Sequence, residues 1–479
     1  MKEAIVKVRR EDVIWNYVGT VFSMCSNFIL LPLLLLFLTS EQIGLWYVFV
    51  AISGFSQLLE FGFTSTLSRN ILYCLSGAQS LSKTGLADHG DIGIDGVNWH
   101  LFRVVLKTSR IIYAVIGIIA FILASTLGSF YVSTVTGGFS ISWSLLSWIV
   151  FDFSIFTNLY FLYKLTFLRG IGDVAGENRA KTVARLGQLI LTAALLFCGF
   201  QLLAAAIGFF AYSLFLMVIA GHAFNSNSMI TLGIASDRQS IGKQEMIDVL
   251  GSVAFVASRD GIVSVAWYGA TQATSLICSA FLGLAQNATY SVMLQIATAI
   301  CNLGGAYIRS CFPMYQSAFV TGDAATQRRI IERGMSCYVL TCLIGTAVVA
   351  LCLPVFTMIK SDFICDRSLF VCLSLYLILL NQHSLFCNII VNTNEIPYFK
   401  AYIISSVVGI TLTCLLCGTF NLGIWGIILG QAIPQLVYNN WYWPSFVLRR
   451  IGITYPQMLK AGSVWWLQGI AKKFASLNA

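Results

Sequence analysis

The sequence predicts an all-α integral membrane protein of about twelve spans, which the internal repeat and polar stripes described below arrange as two six-helix bundles around a central cavity. Three observations predict it. Of 479 residues, 57% are hydrophobic and 10% charged, and mean hydropathy is +0.80, a balance that excludes a water-soluble globular fold. The apolar runs are long enough to cross a bilayer core of about 30 Å as helices, and no sustained strand alternation suggests an outer-membrane barrel. Of the 29 Lys and Arg, all but Lys360 and Arg367 fall in every second connecting segment. Under the positive-inside rule this puts both termini in the cytoplasm. The net charge of +9 is therefore read as topology, with no nucleic acid partner.

In order, the spans fall near 14–38, 43–67, 108–132, 142–166, 183–200, 203–223, 262–283, 287–311, 335–358, 368–391, 401–418 and 422–443. Lys2, Lys7, Arg9 and Arg10 precede an apolar run longer than a signal-peptide core, with no small-residue cleavage site, so span 1 reads as a retained anchor. Spans 1 and 2 meet at the turn 39–44, and Phe200-Gln201 separates spans 5 and 6. Pro32, Pro354 and Pro434 are placed to bend spans 1, 9 and 12, and Gly423, Gly426 and Gly430 to bring span 12 close to a neighbour. The outer loops are short. The inner segments 70–107 and 224–261 each have room for a surface helix. The implied organisation is a bundle over 1–223, a cytoplasmic linker over 224–261, a second bundle over 262–444, and a tail over 445–479. Trp465-Trp466 and Lys472-Lys473 mark that tail as an interfacial amphipathic helix. Gly44-Leu45-Trp46-Tyr47 and Asn287-Ala288-Thr289-Tyr290 open spans 2 and 8 alike, which suggests a parallel repeat.

Four spans carry polar stripes at helical spacing: Asn16, Thr20, Ser23 and Asn27 on span 1; Ser53, Gln57, Glu60, Thr64 and Ser68 on span 2; Ser264, Tyr268, Thr271, Ser275 and Ser279 on span 7; Ser291, Gln295, Thr298 and Asn302 on span 8. Spans 6 and 9 are nearly bare of strongly polar groups. A polar stripe is costly against lipid. It either bridges packed helices or faces a shared wet cavity, and its recurrence on corresponding spans of both halves favours the cavity. Arg69, Arg259 and Arg309 stand at the inner ends of spans 2, 7 and 8. Each either snorkels to lipid phosphate or forms part of a cationic mouth whose guanidinium forks suit a pyrophosphate. The candidate substrate-binding set is thus Arg69, Arg259, Arg309, Asn16, Asn27, Gln57, Glu60, Tyr268, Gln295 and Asn302, with Asp260 placed to temper Arg259.

Other signals carry less. Glu60 and Asp152 are acids within spans, to be protonated, paired or part of a proton relay. Asn381-Gln382-His383 on span 10 either joins such a relay or packs by hydrogen bonds. Most of the 14 cysteines lie in apolar runs, Cys365 in an outer loop, and Cys414-Leu415-Leu416-Cys417 has no second pair to complete a zinc site. Asp88-His89-Gly90-Asp91 with Asp95 misses the order of a calcium loop. Gly170, Gly172 and Gly176 follow no strand, there is no phosphate-binding loop, and no nucleophile–base pair stands out. No catalytic residue, metal or cofactor is called for.

Three stretches resemble the polysaccharide repeat-unit flippases, O-antigen type, of the multidrug/oligosaccharidyl-lipid/polysaccharide exporter superfamily. They are Thr39-Ser40-Glu41-Gln42-Ile43-Gly44-Leu45-Trp46-Tyr47, Leu59-Glu60-Phe61-Gly62-Phe63, and Phe167-Leu168-Arg169-Gly170 leading to Asn178. The resemblance implies a cavity lined by spans 1, 2, 7 and 8. It also implies a substrate, an oligosaccharide on undecaprenyl pyrophosphate turned from the inner to the outer leaflet of a bacterial cytoplasmic membrane, as in lipopolysaccharide synthesis. Membrane lipids, a polysaccharide polymerase and glycosyltransferases are the implied partners. Loop 70–107, acidic in its middle, is longer than that pattern. The residues themselves leave open a drug or small-cation antiporter of the same superfamily, a membrane enzyme of polysaccharide assembly, or a scaffold.

Overall fold

A computed structural model describes residues 15, 19, 22, 26, 29–78, 81, 97–359, 366–391 and 397–477. It is all-helical among these residues, and eight helices are long and apolar enough to cross a membrane. They correspond to the expected spans 3–6 and 8–11. Of the remaining four, three differ from a single continuous apolar helix, and span 1 is only partly described. Spans 2, 7 and 12 are interrupted, at Leu59–Gly62, at Gln272 and by a π-helical turn at Gln435–Asn439. The stripes on spans 2 and 7 therefore do not run along single helices.

The chain divides by contact into two units, Met1–Tyr268 and Gly269–Ala479. In the first, residues 29–37 are helical and lead into α1 (Ser40–Leu58), α2 (Phe63–Leu75) and α3 (Trp99–Leu123). A π-helical turn (Ala124–Gly128) then gives α4 (Ser129–Val135), followed by α5 (Ser144–Gly170), α6 (Val174–Phe197), α7 (Gln201–Asn225), α8 (Ser228–Ser236) and α9 (Lys243–Thr271). α5 is the central element, packed against α2, α3 and α7. The expected break at Phe200-Gln201 is a tight turn, with Gly199 and Gln201 at positive φ. The segment read as a linker holds the short helix α8. From Lys243 onward it is continuous with span 7, so no break precedes that span. Ile230 of α8 and Val249 and Val253 of α9 are buried in one core with Leu67, Phe102 and Phe167.

The second unit continues with α10 (Ala273–Leu282), α11 (Leu284–Ser310), α12 (Phe312–Val320), α13 (Ala324–Ile359), α14 (Arg367–Val391), α15 (Phe399–Gly418) and α16 (Ile424–Pro434). The second π-helical turn leads to α17 (Asn440–Arg450) and α18 (Tyr455–Leu477). α13 runs on past Pro354, whereas the π-helical turn follows Pro434 directly. At Gly430, an added Cβ would stand 2.6 Å from Thr413 Cα, so α15 and α16 are in close backbone contact there. The tail helix α18 is docked on the start of α13. Trp466 Nε1 donates to the Arg333 carbonyl at 3.0 Å, Ser336 Oγ donates to the Met458 carbonyl at 3.2 Å, and the Arg333 guanidinium lies 4.2 Å from the Trp465 ring. Leu467 and Val464 remain exposed, which leaves an apolar face for the membrane interface.

Gly462 permits this docking, because a Cβ there would run into the Glu332 carbonyl oxygen, a backbone atom. Gly462→Val should lift α18 from α13 and increase tryptic cleavage at the exposed Lys460 of the purified protein. An unchanged digestion pattern would refute the close approach.

Candidate functional site

Span 2 breaks at the glutamate of its stripe. Phe61 and Gly62 both have positive φ, and Gly62, at +82°, takes a left-handed conformation that glycine adopts without cost. The break frees backbone N–H groups at the start of α2. Glu60 satisfies two of them: Gly62 N–H donates to Oε2 at 3.2 Å and Thr64 N–H donates to Oε1. The carboxylate also sits at the positive end of the helix dipole. Tyr113 of α3 donates to Glu60 Oε1 at 3.1 Å, and its hydroxyl is 2.9 Å from Thr64 Oγ1 and 3.3 Å from Thr166 Oγ1 of α5. Ser68 Oγ donates to the carbonyls of Thr64 (2.8 Å) and Thr166 (3.2 Å). The half-buried Glu60 thus closes a hydrogen-bonded junction of α2, α3 and α5. Sequence reading missed Tyr113 and Thr166, which lie in otherwise apolar runs. Gly62 two positions after Glu60 was the available signal for the break.

The other two stretches of the resemblance are also junctions. Thr39 and Gln42 form a reciprocal cap at the start of α1, and the buried Gln42 side chain donates to Gln201 Oε1 at 2.8 Å and to the Ser142 carbonyl at 3.3 Å. Arg169 is held by the buried Glu177 through Nε at 3.0 Å and Nη2 at 2.5 Å, and Lys181 donates to the same carboxylate at 2.5 Å. Gly170 lies so close to Ile71 that a Cβ would stand 2.7 Å from it.

Of the candidate set, Arg69 and Gln57 are exposed on the first unit. Arg259 lies in α9, and its side chain, like that of Asp260, is outside the described residues, as are Asn16 and Asn27 with Thr20 and Ser23. Tyr268 is buried and donates to the Ala51 carbonyl at 2.9 Å, which ties α9 to α1. On the second unit, Gln295, Asn302 and Arg309 are half-buried on α11. Arg309 folds back over Gly305 and donates to the Asn302 carbonyl at 2.6 Å. Neither Arg69 nor Arg309 pairs with a carboxylate among the described residues. Elsewhere along the stripes, Ser275, Ser291 and Asn287 bond to one another at 2.9–3.1 Å in a buried cluster between α10 and α11. For these positions the helix-bridging reading holds. Asp152 accepts from Ser125, in the π-helical turn, at 2.5 Å. In the second unit, His383 Nδ1 is 2.8 Å from Asn440 Oδ1 and Gln382 donates to the Tyr455 hydroxyl.

A polar cluster that the sequence did not suggest lies at the end of the first unit where α3 begins. Arg103 Nη1 contacts Asp237 Oδ2 at 2.6 Å and the carbonyls of Asp237 and Gln239 at 2.9 and 3.1 Å. His100 lies 3.1 Å from Asp237 Oδ2 and 3.2 Å from Glu245 Oε1. Desolvation pushes the Asp237 carboxyl up, but Arg103, the Gln239 N–H and His100 together outweigh it and hold it below its ordinary value.

Compared with known proteins, the sequence matches no family model and no curated protein. Solved structures do match. An inward-facing multidrug resistance transporter of the MATE family, MOP superfamily, aligns at TM-score 0.64 and 14% identity, over 91% of this chain and 94% of that one. An outward-facing one aligns at 0.58 and 13%, over 94% and 98%. The chain shares its fold with these two proteins. A MOP-superfamily transporter from Pyrococcus furiosus, described as having a binding pocket of reverse polarity, aligns at 0.53 and 14%, over 95% and 100%. At these identities the MOP likeness is one of fold.

Two predictions follow from the junctions. Glu60→Ala should destabilise the protein by about 1–2 kcal/mol, the typical cost of a lost helix cap, and Glu60→Gln by less, since one acceptor oxygen remains. Thermal unfolding in detergent measures this, and an unshifted Glu60→Ala transition would rule out the carboxylate as the cap. For Asp237, the lowered pKa means its stabilising contribution is present above the ordinary value of 3.8 and lost as pH falls below it. Hydrogen exchange across 226–242 should therefore accelerate as pH is lowered through that range, once corrected for intrinsic rates. Asp237→Asn should exchange fast already at neutral pH.

Proposed function

We propose that this protein is a flippase that moves a lipid-linked oligosaccharide, carried on an undecaprenyl pyrophosphate, across a bacterial cytoplasmic membrane by alternating access. The observation that carries the transport reading is the fold shared over more than nine-tenths of the chain with transporters solved in both inward- and outward-facing states. The charge of the candidate groups supports the substrate class. Arg69 and Arg309 lack carboxylate partners among the described residues, and the half-buried Arg309 is held by a neutral carbonyl alone. A pyrophosphate outcompetes such a carbonyl, because its oxygens carry negative charge and two of them can meet the guanidinium fork at once.

In this mechanism Arg69 and Arg259 of the first unit, and Arg309 of the second, each offer a guanidinium to the pyrophosphate on the cytoplasmic side. Asn16, Asn27, Gln57, Gln295 and Asn302 offer polar groups to the sugars, Tyr268 braces α9 against α1, and the polyprenyl chain stays in lipid. Outward movement of the anion across an inside-negative membrane gains about 2.3 kcal/mol per charge per 100 mV, enough to drive the step without a coupling ion. Glu60 acts as a structural cap within this scheme rather than as an ion carrier.

A second reading, export of cationic drugs, is favoured by the multidrug transporters among the structural neighbours. One experiment separates the two. Arg69→Ala, Arg259→Ala, Arg309→Ala and the triple variant are compared at matched expression for surface polysaccharide and for drug resistance. The triple variant should lose polysaccharide output, with the singles intermediate. Normal polysaccharide in all four would remove the pyrophosphate site, and a change confined to drug resistance would favour export.

A further inference from the structure

The first unit contains a cavity of about 410 Å³ with a mixed lining. One wall is α3, where Arg103, Lys107 and Arg110 stand at steps of 4 and 3 and so share a face. The rest of the lining is mostly apolar, Phe224 at the end of α7, Ile234 of α8, and Ile241, with Asn225 and Thr231 as its polar members. The cations are not equivalent. Arg103 is neutralised by Asp237, and its carbonyl contacts fix the segment that closes the cavity. Lys107 and Arg110 have no carboxylate partner among the described residues. Arg110 lies over the Tyr163 ring, 5.6 Å from its centroid, an interaction that steers the guanidinium without cancelling its charge. The cavity therefore keeps uncompensated positive charge beside an apolar surface.

Its surroundings indicate which anion it suits. Immediately beyond Arg110, α3 turns an exposed apolar face outward through Ile111, Val115 and Ile118, and α7 does the same with Phe215 and Val218. These are lipid-facing surfaces of helices long enough to span. On the other side, α8 exposes Met229 and Leu232 while burying Ile230, the pattern of a short helix lying in the interface. The cavity thus sits where an acyl-facing surface gives way to charge, at headgroup depth. A basic pocket between helices at that depth matches a phospholipid phosphate better than a freely dissolved one.

We infer that this cavity binds the headgroup phosphate of an anionic phospholipid through Lys107 and Arg110, with the acyl chains lying along α3 and α7. The inference stands apart from the transported substrate and names a resident lipid. In the orientation proposed above, that lipid belongs to the inner leaflet.

The test is native mass spectrometry of the full-length protein in detergent, titrated with phosphatidylglycerol or phosphatidylcholine. Phosphatidylglycerol should be retained in preference. Lys107→Gln should weaken its binding about 5-fold, and Lys107→Gln with Arg110→Gln about 30-fold, the factors expected from removing one and two basic side chains near an anionic lipid. Arg328→Gln with Arg329→Gln, an equal loss of charge on the second unit, should leave it unchanged. Lys107 is exposed, so the single variant carries no folding penalty and stands if the double variant misfolds. Equal retention by wild type and variants would overturn the inference. So would equal affinity for the two lipids, or displacement of the lipid by an equal concentration of inorganic phosphate.

Discussion

A helix that stops inside a bilayer leaves backbone N–H groups with no water to receive them. That constraint organises the first unit. Span 2 ends at Leu58 and restarts at Phe63, and the donors so released are met by Glu60, whose carboxylate is in turn held by Tyr113. Because Tyr113 belongs to α3 and contacts Thr166 of α5, the local need of one helix end becomes a tertiary junction of three. Glu60, which the sequence left open as protonated, paired or part of a proton relay, is occupied by the backbone.

The same logic recurs wherever polar residues sit near helix ends. Gln42 caps α1 with one end of its amide and reaches Gln201 and the Ser142 carbonyl with the other. Glu177 holds Arg169 across the turn between α5 and α6. The three stretches that carry the family resemblance are therefore the joints of the first bundle. Joints preserve a fold, and one fold admits many functions.

Charge is distributed by a different rule. Glu177 and Asp237, which face cations, are paired with them, whereas several arginines and lysines are not. Arg69, Lys107 and Arg110 find no carboxylate among the described residues, and Arg309 settles for a carbonyl. Unpaired cations of this kind attract anions and belong to the basic excess that gives the net charge of +9.

Composition, apolar run length and the alternation of basic segments were enough to determine an all-helical membrane protein and most of its spans, because hydrophobic transfer depends on residue type and length and not on neighbours. The turn at Phe200-Gln201 and a helix carrying Trp465-Trp466 in the tail were also legible, whereas the docking of that helix on α13 was not. Periodicity alone could not show that spans 2 and 7 are broken, since a stripe on paper continues through Glu60 and Gln272 whether or not the hydrogen bonds do. Nor could it tell a sealed contact from an open face: Ser275 and Ser291 bond to each other, while Gln57 is exposed. The cavity at Lys107 and Arg110 joins residues more than 100 positions apart, from α3 to Ile241. Only the packing of α3, α7 and α8 around α5 brings them together, because hydrogen bonding and charge pairing are decided by which surfaces meet, and that is a property of the folded chain.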